Sequence, residues 1–362
     1  MIRLNPLTRK KLQRFRSIKR GWWSFLLLVG AFGMSLVAEL WVSKKALIVS
    51  YEGNLYFPTY SSFYSGEDFG IEKDSAGAPY SHEVNYRDLK KHFQQQGEGN
   101  WVLLPLVPWD PIENDFSDGK VAKPLPPNFS KKHYLGTDST GRDILARLVY
   151  GFRVAMVFAL GFVVMVYVIG IIIGGAMGYF GGSADLIGQR LVEIWSNIPF
   201  LYMVIILVSI LPPSVSEEIR ILLLLLIMVL FSWTTMTYYM RSAVYKEKAR
   251  DYVAAAQLLG AGPVRILFTH LLPNTISTLV TFAPFTMAAA ITSITALDFL
   301  GFGIPPPVPS LGELLKQGVD QLEAPWIVRS AFAAMVICLT LVTFIGEAVR
   351  EAFDPKKFTT YS

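Results

Sequence analysis

VAMVFALGFVVMVYVIGIIIGGAMGYFGGSA, residues 154–184, contains no Asp, Glu, Lys or Arg. A membrane-spanning helix needs only about 20 mostly apolar residues, so this stretch can cross a bilayer with residues to spare. Working outward, similar runs occupy Gly21 to Ala38 (extended by Leu40 to Val42 past Glu39), Ile194 to Ser216, Ile221 to Met240, Thr275 to Leu297 and Ser330 to Gly346. The expected architecture is all-α and polytopic, with about six transmembrane helices near 22–42, 154–179, 194–211, 221–240, 275–297 and 330–346. Pro284 falls inside the fifth, which membrane helices tolerate because neighbouring groups satisfy the freed carbonyl.

The chain has 362 residues, 52% hydrophobic and 17% charged, against roughly a quarter charged in soluble domains. Its charges gather in clusters between the apolar runs. The net charge of +5 follows from basic residues flanking the spans, the positive-inside pattern, and does not point to nucleic acid. No phosphate loop, no HExxH pair and no Cys/His cluster with metal spacing occurs. The single cysteine, Cys338, lies in an apolar run. The expectation is a chain with no catalytic site, metal or cofactor of its own.

Residues 1–21 carry eight Lys/Arg and no acid, which places this tail in the cytoplasm. Six alternating spans then put 43–133 outside and the C-terminus inside. Loop 241–274, with five Lys/Arg against two acids, falls inside, and the net-acidic segment 298–329 falls outside. Segment 43–133, rich in Tyr, Phe and Pro, reads as an ordered external insertion with some strand. In 134–153, Thr140 and Asp143 fit a capping box. The segment reads as an amphipathic helix on the outer surface, with Arg142 and Arg147 among lipid headgroups.

Loop 241–274 reads RSAVYKEKARDYVAAAQLLGAGPVRILFTHLLPN. Asp251 can cap a short helix carrying Tyr252, Val253, Ala256 and Leu259, which Gly260 stops. Val264, Ile266 and Leu267 begin a second helix, ended at Leu272-Pro273. A helix–Gly–helix with a small-residue face suits either a groove in another protein or an interfacial connector.

This loop resembles the EAA loop of ABC-importer permeases. Ala255, Ala256, Gly260, His270, Leu272 and Pro273 stand at its motif positions, with nine residues between Gly260 and His270; Ala254 replaces the usual Glu and His270 the usual Ile. LGTDSTGRDILARLVYG (135–151), GYFGGSADLIGQRLVEIWSNIPFL (178–201), LDFLGFGIPPPVPSLGELL (297–315) and IGEAVREAFDPK (345–356) resemble the dipeptide/oligopeptide/nickel branch, in order. The large insertion and basic N-terminus are similar to the microcin C/peptide importer inner-membrane permeases of that branch.

The resemblance implies the type I ABC-importer permease fold and peptide import across the inner (cytoplasmic) membrane by alternating access. It implies cytoplasmic ATPase subunits that hold the ATP and Mg, a second homologous permease chain, and a periplasmic substrate-binding protein. Asp251, Ala255, Ala256, Gly260, His270, Leu272 and Pro273 would form the ATPase-coupling loop. For the substrate path, Asp298 is a candidate because ionisable residues near spans are functional suspects, beside Trp195, Asn197 and Trp233. Alternatives are a permease of the same fold for nickel or another small solute, a membrane scaffold, and an ion-coupled carrier; the absence of paired intramembrane acids speaks against the last.

Overall fold

The computed structural model describes residues 6–61, 63–71, 83–97, 99–116, 123–212 and 214–353. Among them, helices α1 (Pro6–Ser17) and α2 (Lys19–Leu36) open the chain, and strands β1 (Ile48–Tyr51), β2 (Asn54–Tyr56) and β3 (Trp101–Leu103) enclose α3 (Tyr86–Gln96) in sequence. Helices α4 (Ile144–Phe180), α5 (Gly182–Ser196), α6 (Phe200–Ser209) and α7 (Glu217–Lys248) follow. The chain continues through α8 (Asp251–Leu258), α9 (Pro263–Arg265), a π-helix (Ile266–Leu271), α10 (Leu272–Val280), α11 (Ala283–Leu300), α12 (Leu311–Asp320) and α13 (Pro325–Phe353). Two compact units result: Met1–Ala31, Ala155–Pro306 and Met335–Ser362 in one, Phe32–Val154 and Pro307–Ala334 in the other.

The first unit holds most of the apolar helix. Gly170, Gly174 and Gly178 stand one turn apart on α4, and α7 lies directly against them. A Cβ at Gly170 would come within 2.6 Å of the Met236 side chain, and one at Gly178 within 2.8 Å of the Arg241 carbonyl oxygen. At Gly174 it would run into the Thr237 carbonyl oxygen. Small residues at this spacing let membrane helices approach closely, which matters because lipid supplies no hydrophobic drive between them. Glu217 and Glu218 in the first turn of α7, and Lys246 and Lys248 in its last, complement the helix dipole at both ends.

Several span expectations need correction. Among the described residues, α4, α7, α11 and α13 are long and apolar enough to cross a membrane alone, and α5 with α6 makes a fifth span if that bent pair counts as one. Helix α2 begins at Lys19-Arg20, and these charges lower its mean apolarity. The third run is helix from Gly182, not a loop to residue 193, and bends by 70° between α5 and α6, where Pro199 begins the new helix. The fifth run is two helices: α10 ends at Val280, and Pro284 lies in the first turn of α11, where its missing N–H costs nothing.

In the second unit, β1 is central in an antiparallel β2-β1-β3 sheet, with Val49 paired to Tyr56 and Val102. Helix α3 closes over it, burying Leu89 and Phe93 among Val49, Phe69 and Val102. Asn85 caps α3 by accepting from the Arg87 N–H at 3.1 Å, and Gly97 ends it at φ +71°. The expected mixed insertion is therefore a small α+β core.

Segment 134–143 is turn, not helix. Asp143 caps α4 by accepting from the Ala146 N–H at 2.7 Å, so the capping residue is Asp143 itself, and Thr140 instead donates to Asp138 at 2.9 Å. Arg142 and Arg147 are buried rather than set among headgroups. Arg142 donates to Asp138 at 2.8 Å and to Glu313 of α12 at 2.9 Å, and Arg147 donates to the other Glu313 oxygen. His133 stacks on Trp109 at 4.1 Å and sits 2.8 Å from Asp143. Glu313, from the second of these motif stretches, thus joins Asp138, Arg142 and Arg147 in one largely buried charge cluster, where removing a single partner costs more than breaking a surface pair would.

Gly174→Leu should cost about 1–3 kcal/mol of stability through overpacking, read as a lower unfolding midpoint in detergent. Gly30→Leu, where a Cβ meets nothing within 4 Å, should leave the midpoint unchanged.

Candidate functional site

The segment between α7 and α10 is built as a rigid projection. Helix α8 starts after Arg250 in extended conformation; Asp251 is its first helical residue and exposed, so it favours the dipole without capping. Val253 and Ala256 are buried along the inner face. The helix ends in a Schellman turn: the Gly260 N–H donates to the Gln257 carbonyl at 2.9 Å and the Ala261 N–H to the Ala256 carbonyl at 3.0 Å. Gly260 takes φ +79°, a conformation that a side chain resists. Ala255 is exposed while Ala256 is buried, so the alanine pair divides between the two faces.

Beyond Gly260 the chain does not stop at Leu272-Pro273 as the sequence suggested. Ile266–Leu271 is a π-helix running directly into α10, whose second residue is Pro273. A π turn widens the helix where proline would otherwise clash with the preceding turn and delete its hydrogen bond. His270 is half-buried, and its carbonyl accepts from Asn274 Nδ2 at 2.8 Å. The same amide group donates to the Tyr252 hydroxyl at 3.1 Å, and Tyr252 donates to Glu247 at 3.0 Å. The two ends of the loop are thereby tied to each other and to α7. Burial and the Glu247 carboxylate push the Tyr252 phenol above its usual range, keeping it a neutral donor.

Between these ties the loop presents apolar side chains to solvent. Leu258 is 90% exposed, Leu259 88% and Val264 71%. Contiguous exposed apolar residues on an ordered projection mark an interaction site. The base of the projection is anchored as well: Arg241 of α7 donates to both Asp185 oxygens of α5 at 2.5 and 2.6 Å, Tyr245 donates to Asp185 at 3.0 Å, and Lys248 donates to the Tyr179 carbonyl. Bidentate arginine–carboxylate pairing fixes geometry as well as charge.

A cavity of about 630 Å³ opens in the first unit, lined from α4, the α5–α6 bend, α7 and α11. Phe162, Phe200, Phe231 and Phe285 supply aromatic surface, and Ser232, Thr235, Thr286 and Ser293 supply hydroxyls. Its lining carries no ionisable group other than tyrosine. Tyr239 and Phe282 stack at 4.2 Å at its edge.

None of the four sequence candidates for the path lines this cavity. Asp298 is buried at the end of α11, where its Oδ1 accepts from the Ile304 N–H at 2.6 Å and Gly301, at φ +85°, ends the helix. Its carboxylate holds the turn after the helix. Trp195 donates to the Leu230 carbonyl at 2.8 Å and stacks on Phe231 at 5.7 Å. Asn197 closes α5 by donating to the Glu193 carbonyl at 2.8 Å, and the Trp233 carbonyl accepts from Thr237 at 3.1 Å. The cavity residues were missed because ordinary Phe, Ser and Thr on separate helices carry no local signal; only the bend at Asn197–Pro199 brings Ser196, Ile198 and Phe200 to one wall.

Residues 168–359 match the family described as binding-protein-dependent transport system inner membrane component. The chain is 41% identical over 99% of both lengths to the inner membrane ABC transporter permease protein YejE of Escherichia coli (strain K12). It is 38% identical to the peptidoglycan transport system permease protein YejE of Agrobacterium fabrum, over 98% of this chain and 94% of that one. To the dipeptide transport system permease protein DppC of Haemophilus influenzae it is 35% identical, over 70% of this chain and 85% of that one. With an exposed apolar projection after its longest charged-ended helix and a neutral cavity among its apolar helices, the chain belongs to the binding-protein-dependent transport system inner membrane component family, the permease subunits of ABC importers.

Proposed function

We propose that this chain moves peptides or peptide-like solutes across the bacterial inner membrane by alternating access, as the permease half of a pathway completed by a second, similar permease chain. Cytoplasmic ATPase subunits hold the ATP and Mg and drive the cycle through the projection at Leu258–Val264; a periplasmic binding protein delivers cargo to the other face. This chain contributes no catalytic site and no cofactor. Peptide cargo is supported by the relatives named for dipeptides and for peptidoglycan, the latter a polymer with peptide stems.

The observation that carries the reading is the pairing of an exposed apolar tip with a neutral cavity. A groove on an ATPase would bury Leu258 and Leu259, whose exposure otherwise has a free-energy cost. An aromatic and hydroxyl lining suits peptides of varied sequence, since it offers contact to apolar side chains and hydrogen bonds to backbone without selecting one charge. The nickel alternative is less well supported, because a bare cation calls for carboxylate or imidazole ligands, which this lining lacks. Asp251, Ala255, Gly260, His270 and Pro273 serve here by shaping and stiffening the projection, and Leu258, Leu259 and Val264 by contact. We read α2 as the sixth span, its Lys19-Arg20 end at the cytoplasmic headgroups, with both termini cytoplasmic and 43–133 external.

Two outcomes are expected. Burying two leucines is worth at least about 3 kcal/mol, so Leu258→Asp with Leu259→Asp should weaken ATPase binding on the order of a hundredfold. Membrane abundance should be unchanged, since neither side chain packs internally. ATPase co-purification and cargo-stimulated hydrolysis in proteoliposomes measure this; normal stimulated hydrolysis would overturn the coupling assignment.

For topology, single cysteines replace the exposed residues Ser17, Gln95 and Ser242 in a Cys338→Ser background. With the outer barrier permeabilised, an impermeant thiol reagent should label only the Gln95 position in whole cells. Labelling at Ser242 would reverse the orientation.

A further inference from the structure

One concave site in the second unit has no part in the reading above. Helix α3 presents Arg87, Lys90, Lys91 and Gln94 at helical spacing toward a pocket of about 370 Å³, and the turn carrying Lys131 and Lys132 closes it from another direction. Trp109 and Leu104 give it an apolar wall.

The cations do not share one fate. Arg87 is fully engaged: its guanidinium lies 3.7 Å over the Trp109 ring, donates to both Glu113 oxygens at 2.5 and 3.1 Å, and donates to the Pro108 carbonyl at 2.6 Å. Lys91 pairs with Asp88 at 3.1 Å. Asp115, the one acid in the lining, is 3.4 Å from His133. Among the described residues, neither Lys90 nor Lys132 has a carboxylate within 4.0 Å. Lys132 also sits at φ +61°, a backbone conformation rare for lysine. Its turn is held there by paired bonds between Asn128 and His133 at 2.8 and 2.9 Å and by the Lys131 N–H on Asn128 Oδ1 at 3.1 Å. Burial and the nearby Lys90 charge hold the Lys132 ammonium below the usual lysine range.

Two ammonium groups held toward one concavity repel each other, and an anion between them turns that repulsion into attraction. Lysine is a point-charge donor suited to phosphoryl oxygens. We propose that this pocket binds a phosphate-type anion between Lys90 and Lys132. Free phosphate and the phosphoryl headgroup of an anionic lipid share this chemistry.

The test uses the full-length chain in nanodiscs of phosphatidylcholine. The rate of lysine acylation by a small amine-reactive ester is followed site by site by mass spectrometry, with exposed Lys316 as reference. Inorganic phosphate at ten times its Kd should slow acylation of Lys90 and Lys132 about tenfold, while sodium chloride of equal ionic strength should not. Protection by phosphatidylglycerol nanodiscs but not by phosphate would support the site and assign it to a lipid headgroup. No protection in either arm would overturn the proposal. Lys132→Gly keeps the left-handed backbone while removing the ammonium, so Lys90 should lose its protection in that variant. Full protection of Lys90 there would overturn the two-lysine site.

Discussion

The close approach of α4 and α7 over Gly170, Gly174 and Gly178 is the constraint on which the transporting unit depends. In lipid, helices gain nothing by hiding apolar surface from each other, so contact must come from packing and polar links. The glycines allow backbone to lie against the Thr237 and Arg241 carbonyls, a distance that no larger residue permits. That contact fixes the last turns of α7, where Arg241 meets Asp185 and Lys248 meets Tyr179. The projection at Asp251–Leu271 starts from this fixed end. A projection proposed to transmit motion must be stiffer than its surroundings. Here stiffness comes from the Tyr252–Asn274 tie, the Schellman turn at Gly260 and the anchored helix beneath.

How much of this was legible in the sequence follows from the range of each signal. Long uncharged runs are a local signal, and α4, α7 and α13 contain the runs expected to span, while the fifth run is divided between α10 and α11. The helix–Gly–helix shape of 251–265 was also local, since glycine at a helix end announces positive φ. The departures from the sequence reading come from geometry that no residue type announces. Proline at 273 reads as a stop, yet a π turn before it lets the helix continue. Arg142 and Arg147 read as headgroup contacts although Asp138 lies close by in sequence, because the carboxylate that joins both of them, Glu313, lies far along the chain. Asp298 reads as an intramembrane functional acid, and in the fold its carboxylate also accepts from the backbone of Ile304, six residues on.

The distribution of charge follows one rule in both units. Several buried charges are paired with opposite charges, as in Asp185 with Arg241 and in the Asp138, Arg142, Arg147 and Glu313 cluster. Where the apolar helices leave an open cavity, its lining carries aromatics and hydroxyls and no Asp, Glu, Lys, Arg or His. A fixed charge in that wall would bind its complement tightly and repel its like, narrowing what could pass. On the proposed reading of this cavity as part of the path, weak, directionless contact from phenyl rings and exchangeable hydrogen bonds from Ser and Thr would let a solute enter and leave with a shallow free-energy well.

This division also explains why the residues most conspicuous in the sequence are not those of the cavity. Motif residues such as Asp138, Arg142, Asp298 and Glu313 are chemically distinctive because they solve demanding local problems: ending a helix inside protein, or burying a guanidinium without leaving it unpaired. Such problems admit few residue types. A neutral wall admits many, since Phe, Leu and Met, or Ser and Thr, exchange there with little consequence for folding. The cavity is therefore recognisable only after the bend at Asn197–Pro199 and the glycine contact of α4 with α7 have brought its pieces together. The proposed coupling surface stands between these extremes: its backbone favours Gly260, whereas Leu258 and Leu259 are exposed and pack against nothing among the described residues.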